Sequence, residues 1–73
     1  MASKMRAADV LPDDVIETWD GCTYRVTDTT PSASGKLVKL RTVVQSSNDP
    51  ELAVGRTMNF GRRAGTLVLV HRA

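Results

Sequence analysis

The sequence predicts an all-β protein, a small barrel of five short strands, and three observations carry that prediction. Asp20-Gly21 lies between two β-rich runs, Asp14-Val15-Ile16-Glu17-Thr18 and Thr23-Tyr24-Arg25-Val26-Thr27, and an Asp-Gly pair accepts positive φ at both central positions of a tight hairpin turn. Val38, Leu40, Thr42 and Val44 alternate with Lys39, Arg41 and Val43, the period-two pattern of a strand with one face buried. Clusters of Ser, Thr, Pro, Asn, Asp and Gly then separate short apolar runs at the spacing of a small all-β domain.

Taken in order, residues 1–6 read as a disordered N-terminus and residues 7–73 as one domain. Arg6 to Leu11 has room for one helical turn before Pro12, which drives its predecessor out of the α region. The first strand follows Pro12-Asp13-Asp14; Val15 and Ile16 are adjacent, so one of them faces out unless a bulge intervenes. In the second strand Tyr24 and Val26 point inward. Thr29 to Gly35 reads as a flexible loop. The third and longest strand starts at Lys36 or Leu37 and projects Lys39 and Arg41 side by side from one face. Gln45 to Pro50 ends it. Gly55 to Phe60 reads as the fourth strand, with Met58 and Phe60 facing in. Gly61-Arg62-Arg63-Ala64-Gly65 reads as a turn with two arginines at its tip, and Thr66 to His71 as the closing strand.

Seventy-three residues allow one domain, close to the lower size limit for a single self-supporting core. So little chain scarcely walls a catalytic cleft, which favours a binding module over an enzyme. The lone Cys22 excludes an internal disulfide and suits a reducing compartment. No signal peptide is expected, and Leu67-Val68-Leu69-Val70 is far too short to span a membrane, so the expectation is a soluble cytoplasmic protein that does not engage a membrane. The net charge of +2 conceals an asymmetry: residues 1–35 hold three bases against six acids, residues 36–73 seven bases against two acids. Such a split creates an electropositive face if the second half stays together in space.

One resemblance emerges from these segments. Ala8-Asp9-Val10-Leu11-Pro12-Asp13-Asp14-Val15-Ile16 with Trp19-Asp20-Gly21-Cys22-Thr23-Tyr24-Arg25-Val26, then Ser34-Gly35-Lys36-Leu37-Val38-Lys39-Leu40-Arg41 and Thr57-Met58-Asn59-Phe60, resemble the KOW/SH3-like first domain of bacterial translation elongation factor P. The likeness runs from residue 7 to about residue 60 and implies a five-stranded SH3-like barrel. Two departures limit it: the family usually has Gly where this chain has Asp13, and the lysine at the family's loop tip has no counterpart in Pro31-Ser32-Ala33-Ser34-Gly35. Stimulation of peptide-bond formation is therefore not implied. The brevity of the chain is also similar to that of small phage-encoded accessory proteins.

The basic residues carry the leading functional expectation. Lys36, Lys39 and Arg41, extended by Arg62 and Arg63, form a face suited to nucleic acid or a ribonucleoprotein, because each cation that meets a phosphate releases condensed counterions. Trp19 either covers one end of the barrel or offers its indole for stacking or to a partner groove. The alternative is a protein-interaction module, such as a phage factor docking on a host protein through residues 29–35, residues 46–53 and Trp19; a self-assembling subunit ranks third. Cys22 and His71 lack an orienting third group, and acids near Cys22 raise a thiol pKa, so nucleophilic catalysis is not expected. One Cys and one His fall short of a metal site, and no cofactor is expected. Asp13, Asp14 and Asp20 are explained as turn formers, and Gly61-x-x-x-Gly65 lacks the Lys-Ser/Thr of a phosphate loop.

Overall fold

Thr18 opens a three-residue hairpin loop. Its N–H donates to the Cys22 carbonyl over 3.0 Å and the Gly21 N–H donates back to the Thr18 carbonyl over 2.9 Å. Gly21 takes φ +87° while Asp20 stays at negative φ. The turn is thus not the two-residue type expected of Asp-Gly: Trp19 and Asp20 form its centre, and Gly21 alone supplies the left-handed residue. These features come from a computed structural model that describes residues 2–72.

Six antiparallel strands make one sheet: β1 Ala2–Arg6, β2 Val15–Glu17, β3 Thr23–Pro31, β4 Leu37–Ser46, β5 Thr57–Arg63 and β6 Leu67–His71, hydrogen-bonded in the order β1-β6-β2-β3-β4-β5. A single 3-10 turn, Ala7–Asp9, fulfils the expected helical turn before Pro12. Four expectations are corrected. Five strands become six, because residues 2–6 of the supposedly disordered N-terminus pair with β6 from Ala2↔His71 to Arg6↔Leu67. The expected loop from Thr29 narrows to residues 32–36, since Asp28 to Pro31 continue the ladder opposite Arg41 to Val38 after a bulge at Thr27. Gly61, Arg62 and Arg63 belong to β5, opposite Lys39, Val38 and Leu37, so the turn falls at 64–66 and its tip carries no arginine. β5 itself starts at Thr57, because Gly55 takes φ +92° outside the extended region.

The sheet is strongly curled. β5 and β6 are joined by residues 64–66 yet stand four places apart in the ladder order. On a flat sheet that is about 19 Å, whereas the connection reaches about 14 Å fully extended. The curl brings the residue after β1 beside the end of β5, where the Ala8 N–H donates to the Ala64 carbonyl over 3.1 Å, while Ala7 N to Thr66 O (2.8 Å) and Ala64 N to Lys36 O (2.8 Å) prolong the β1–β6 and β4–β5 ladders. Inside the curl lie Val10, Ile16, Cys22, Tyr24, Val26, Val38, Leu40, Val44 and Val70. Of the adjacent pair Val15 and Ile16, Ile16 takes the core position and Val15 is half-buried. Thr42 is also buried and donates its hydroxyl to the Met58 carbonyl over 2.9 Å, so its polar atom costs little. Tyr24 and Phe60 meet edge to face at 4.8 Å.

Two aspartates in one turn do different work. The Asp14 N–H donates to the Leu11 carbonyl over 3.1 Å, with Pro12 and Asp13 between them. Asp13 takes φ +75°, as the third residue of a type II turn must. Asp13→Gly is expected to stabilise the fold by about 0.5 kcal/mol, the relief of left-handed strain exceeding the entropy glycine adds to the unfolded chain. A thermal melt checks this: Tm should rise by about 2–4 °C, and a fall would refute the strain argument. Asp14 instead points inward and closes the far end of the chain onto this turn. Its carboxylate accepts Arg72 Nε at 2.9 Å, Arg72 Nη2 at 2.8 Å and the Leu11 N–H at 2.8 Å.

Candidate nucleic-acid interface

Alternation along β4 sends Val38, Leu40, Thr42 and Val44 into the core and leaves Leu37, Lys39, Arg41 and Val43 on the outer face. The ladder then decides which other cations join them. Gly61 faces Lys39, Asn59 faces Arg41 and Arg63 faces Leu37 on β5; Thr30 faces Lys39, Asp28 faces Arg41 and Arg25 faces Val43 on β3. Lys39, Arg41, Arg63 and Arg25 therefore share the outer face of β3–β4–β5. Arg25 was not among the expected site residues; its outward phase opposite inward Tyr24 and Val26 was the available signal.

The other expected residues do not gather there. Arg62 is one residue out of phase with Arg63, so it lies on the inner side, with its guanidinium 5.2 Å from the Phe60 ring centroid. Lys36 precedes β4, and its carbonyl accepts the Ala64 N–H in continuation of the ladder, which gives it the phase of Val38 rather than of Lys39. Trp19 is 99% exposed at the hairpin tip and covers nothing. Its place at the centre of the turn, beyond the last paired residues of β2 and β3, keeps it off the core, so the core-cover expectation is corrected.

The outer face is hollowed rather than flat. Asp28, Thr30, Lys39, Arg41 and Asn59 line a depression of about 340 Å³, and a second of about 270 Å³ adjoins it between Pro31, Leu37, Lys39 and Gly61. Gly61 opens this second hollow: a Cβ there would meet nothing within 4 Å. Among the described residues Lys39, Arg41 and Arg63 make no ion pair. Five of the six acids of the N-terminal half are engaged, one of them with Arg25 of this same face. Asp9 pairs with Arg6, Asp13 with Arg25 at 3.7 Å, Glu17 with His71 at 2.8 Å and Asp14 with Arg72. Asp20 accepts the Thr18 hydroxyl and the Cys22 N–H, which hold its carboxyl below the usual range, the Thr18 bond foremost. Only Asp28 stands as an acid within the basic hollow.

At the opposite side a separate mouth of about 200 Å³ opens between the β2–β3 hairpin, the start of β6 and the end of β5. Ile16, Leu40 and Val68 line its depth, and Trp19, Leu67 and Arg62 lie around it. Cys22 is buried, with its Sγ 3.7 Å from Ser47 Oγ, and His71 is held by Glu17 on another strand. No group of three or more His, Cys, Asp or Glu among the described residues is placed to hold a metal ion. Comparison with protein-family models, with curated proteins and with solved structures finds no match to this chain.

Proposed function

We propose that this chain is a non-enzymatic binding module that takes a nucleic-acid strand, alone or within a ribonucleoprotein, across the outer face of β3–β4–β5. The observation that carries this reading is the set of cations Lys39, Arg41 and Arg63, unpaired among the described residues, beside a hollow that Asp28 alone of the acids lines. Lys39 and Arg41 stand about 7 Å apart along the strand. Arg63 extends the contact on one side, and Arg25, which pairs with Asp13 at 3.7 Å, borders it on the other. Lys36, Arg62 and Trp19 fall outside it.

The fold reading that accompanies this is an SH3-like barrel. With β1 set aside, the ladder order is β6-β2-β3-β4-β5: four strands in succession, with the last returning beside the first. The positive φ at Asp13, where the elongation-factor domain usually has Gly, supports the likeness to that domain as a likeness of fold. The competing reading, a module docking on a host protein, draws its support from the exposed indole of Trp19.

Fluorescence anisotropy with short single- and double-stranded oligonucleotides over a range of salt tests the proposal. Lys39→Ala and Arg41→Ala should each weaken binding by about three- to ten-fold regardless of base sequence and lower the salt slope by about one unit. Binding indifferent to both substitutions discards the outer face. A single partner that survives nuclease treatment would favour the protein-docking reading instead.

A further inference from the structure

The mouth and the hairpin tip beside it are a knob and a socket on one surface. Trp19 is almost wholly exposed, yet its loop is fixed: besides the two backbone bonds across the turn, Asp20 accepts the Thr18 hydroxyl and the Cys22 N–H, and Asn48 Nδ2 donates to the Asp20 carbonyl at 3.1 Å. A Cβ on Gly21 would come within 2.8 Å of that same Asn48 amide, so Asn48 packs closely against the loop. An aromatic side chain displayed on a rigid loop loses little freedom on docking, the property of an interface anchor. Beside it the mouth presents half-buried Val68 and Leu69 over a floor of buried Leu40 and Ile16, with Leu67, 60% exposed, at its lip, together with one charge of each sign, Glu17 and Arg62.

We infer that two copies of this chain associate through this surface about a two-fold axis, each Trp19 seated in the mouth of the other. A second copy is the occupant the observations favour, because a two-fold contact places the same patch on both partners. One copy's protruding indole then meets the other's mixed hollow, apolar along Leu67, Val68 and Leu69 and polar along Glu17, Thr18 and Arg62. The rim charges are complementary under the same operation: Glu17, which already holds His71 through one carboxylate oxygen, would meet Arg62 of the other copy, whereas a patch of one sign would repel itself. The contact is small. Each indole buries about 200 Å² of its own surface and a similar area of the socket, about 800 Å² in total, below the roughly 1,200 Å² of a standard stable complex. The dimer is therefore weak and forms reversibly with concentration. It leaves the outer face of β3–β4–β5 free, so it stands or falls apart from nucleic-acid binding.

Trp19 is the only tryptophan, so its fluorescence reports on the contact directly. Sedimentation of the full chain from micromolar to millimolar concentration, without oligonucleotide, should show the average mass climbing toward that of a dimer while the indole emission moves to shorter wavelength in step. Trp19→Ala and Leu67→Glu, both at exposed positions, should keep the wild-type melting temperature and weaken association at least ten-fold. Arg41→Ala, on the other face, should associate as wild type does. A monomer at every concentration overturns the proposal, as does a rise in mass with unchanged emission or with Trp19→Ala still associating.

Discussion

Asp14→Ala is expected to lower stability by about 2–3 kcal/mol, which in a domain of this size means a fall in Tm on the order of 10–20 °C. The Asp14 residue is only 3% exposed, and its carboxylate accepts two bonds from Arg72 and one from the Leu11 N–H. Removing it leaves the partly buried Leu11 N–H and the Arg72 guanidinium without their shared partner. The cost stays below that of a fully buried ion pair because the Arg72 side chain is about half exposed. The same carboxylate sets an acid dependence. Arg72, and after it the Leu11 N–H, hold Asp14 below the usual carboxylate range in the folded protein, against the opposing effect of burial. Its contribution is therefore complete above the unfolded-state pKa of about 3.9 and is lost as pH falls through that value toward the lower folded one. Urea melts between neutral pH and pH 3 should show wild type losing stability at the acid end, with Asp14→Asn already low and less sensitive to acid. A variant melting within a degree or two of wild type would contradict the role given to this pair.

Leu40→Ala should cost about 3 kcal/mol, a large part of what a domain this small has to spare. Leu40 has no exposed surface, lies opposite Phe60 on β5 and Thr29 on β3, and lines the depth of the mouth. Truncation leaves a cavity in the middle of the curl, where the surrounding ladders resist collapse. Leu37→Ala on the same strand is the control: Leu37 is 52% exposed on the outer face, and its loss should stay within about 0.5 kcal/mol. Comparing the urea midpoints of the two variants checks the inward and outward phases of β4. Equal effects would mean that the phase is misassigned.

How legible all this was in the sequence depended on range. Alternation within one strand is local, so the inward set Val38, Leu40, Thr42 and Val44 and the outward pair Lys39 and Arg41 were readable, as were the core positions Tyr24 and Val26. The separation of Arg62 from Arg63 was not. It requires knowing that β5 runs on through Gly61, and glycine, usually a punctuator of turns, here sits in an ordinary paired position opposite Lys39. Strand β1 was hidden for a similar reason: Ala-Ser-Lys-Met-Arg has little strand character of its own, and its partner lies at the other end of the chain. Asp14 and Arg72 are 58 positions apart, and no local pattern links them. Trp19 misled through its size: a small core was expected to claim its one large residue, but the hairpin loop gained a third member and set the indole outside.

The position of β6 between β1 and β2 has a consequence for biogenesis. On the ribosome the first two strands emerge early, but the strand to which both must zip is synthesised after all the others. Until residues 67–71 appear, the nascent chain holds at most the β2–β3–β4–β5 meander, with β1 dangling and one flank of β2 bare. Completion is thus a late, all-or-none event dominated by partners remote in the chain, the regime of slow folding. Residues 2 and 71 lie side by side, so linking them and opening the chain in the 46–53 loop would make β6 and β1 neighbours in translation and hand the late, remote pairing to β4 and β5.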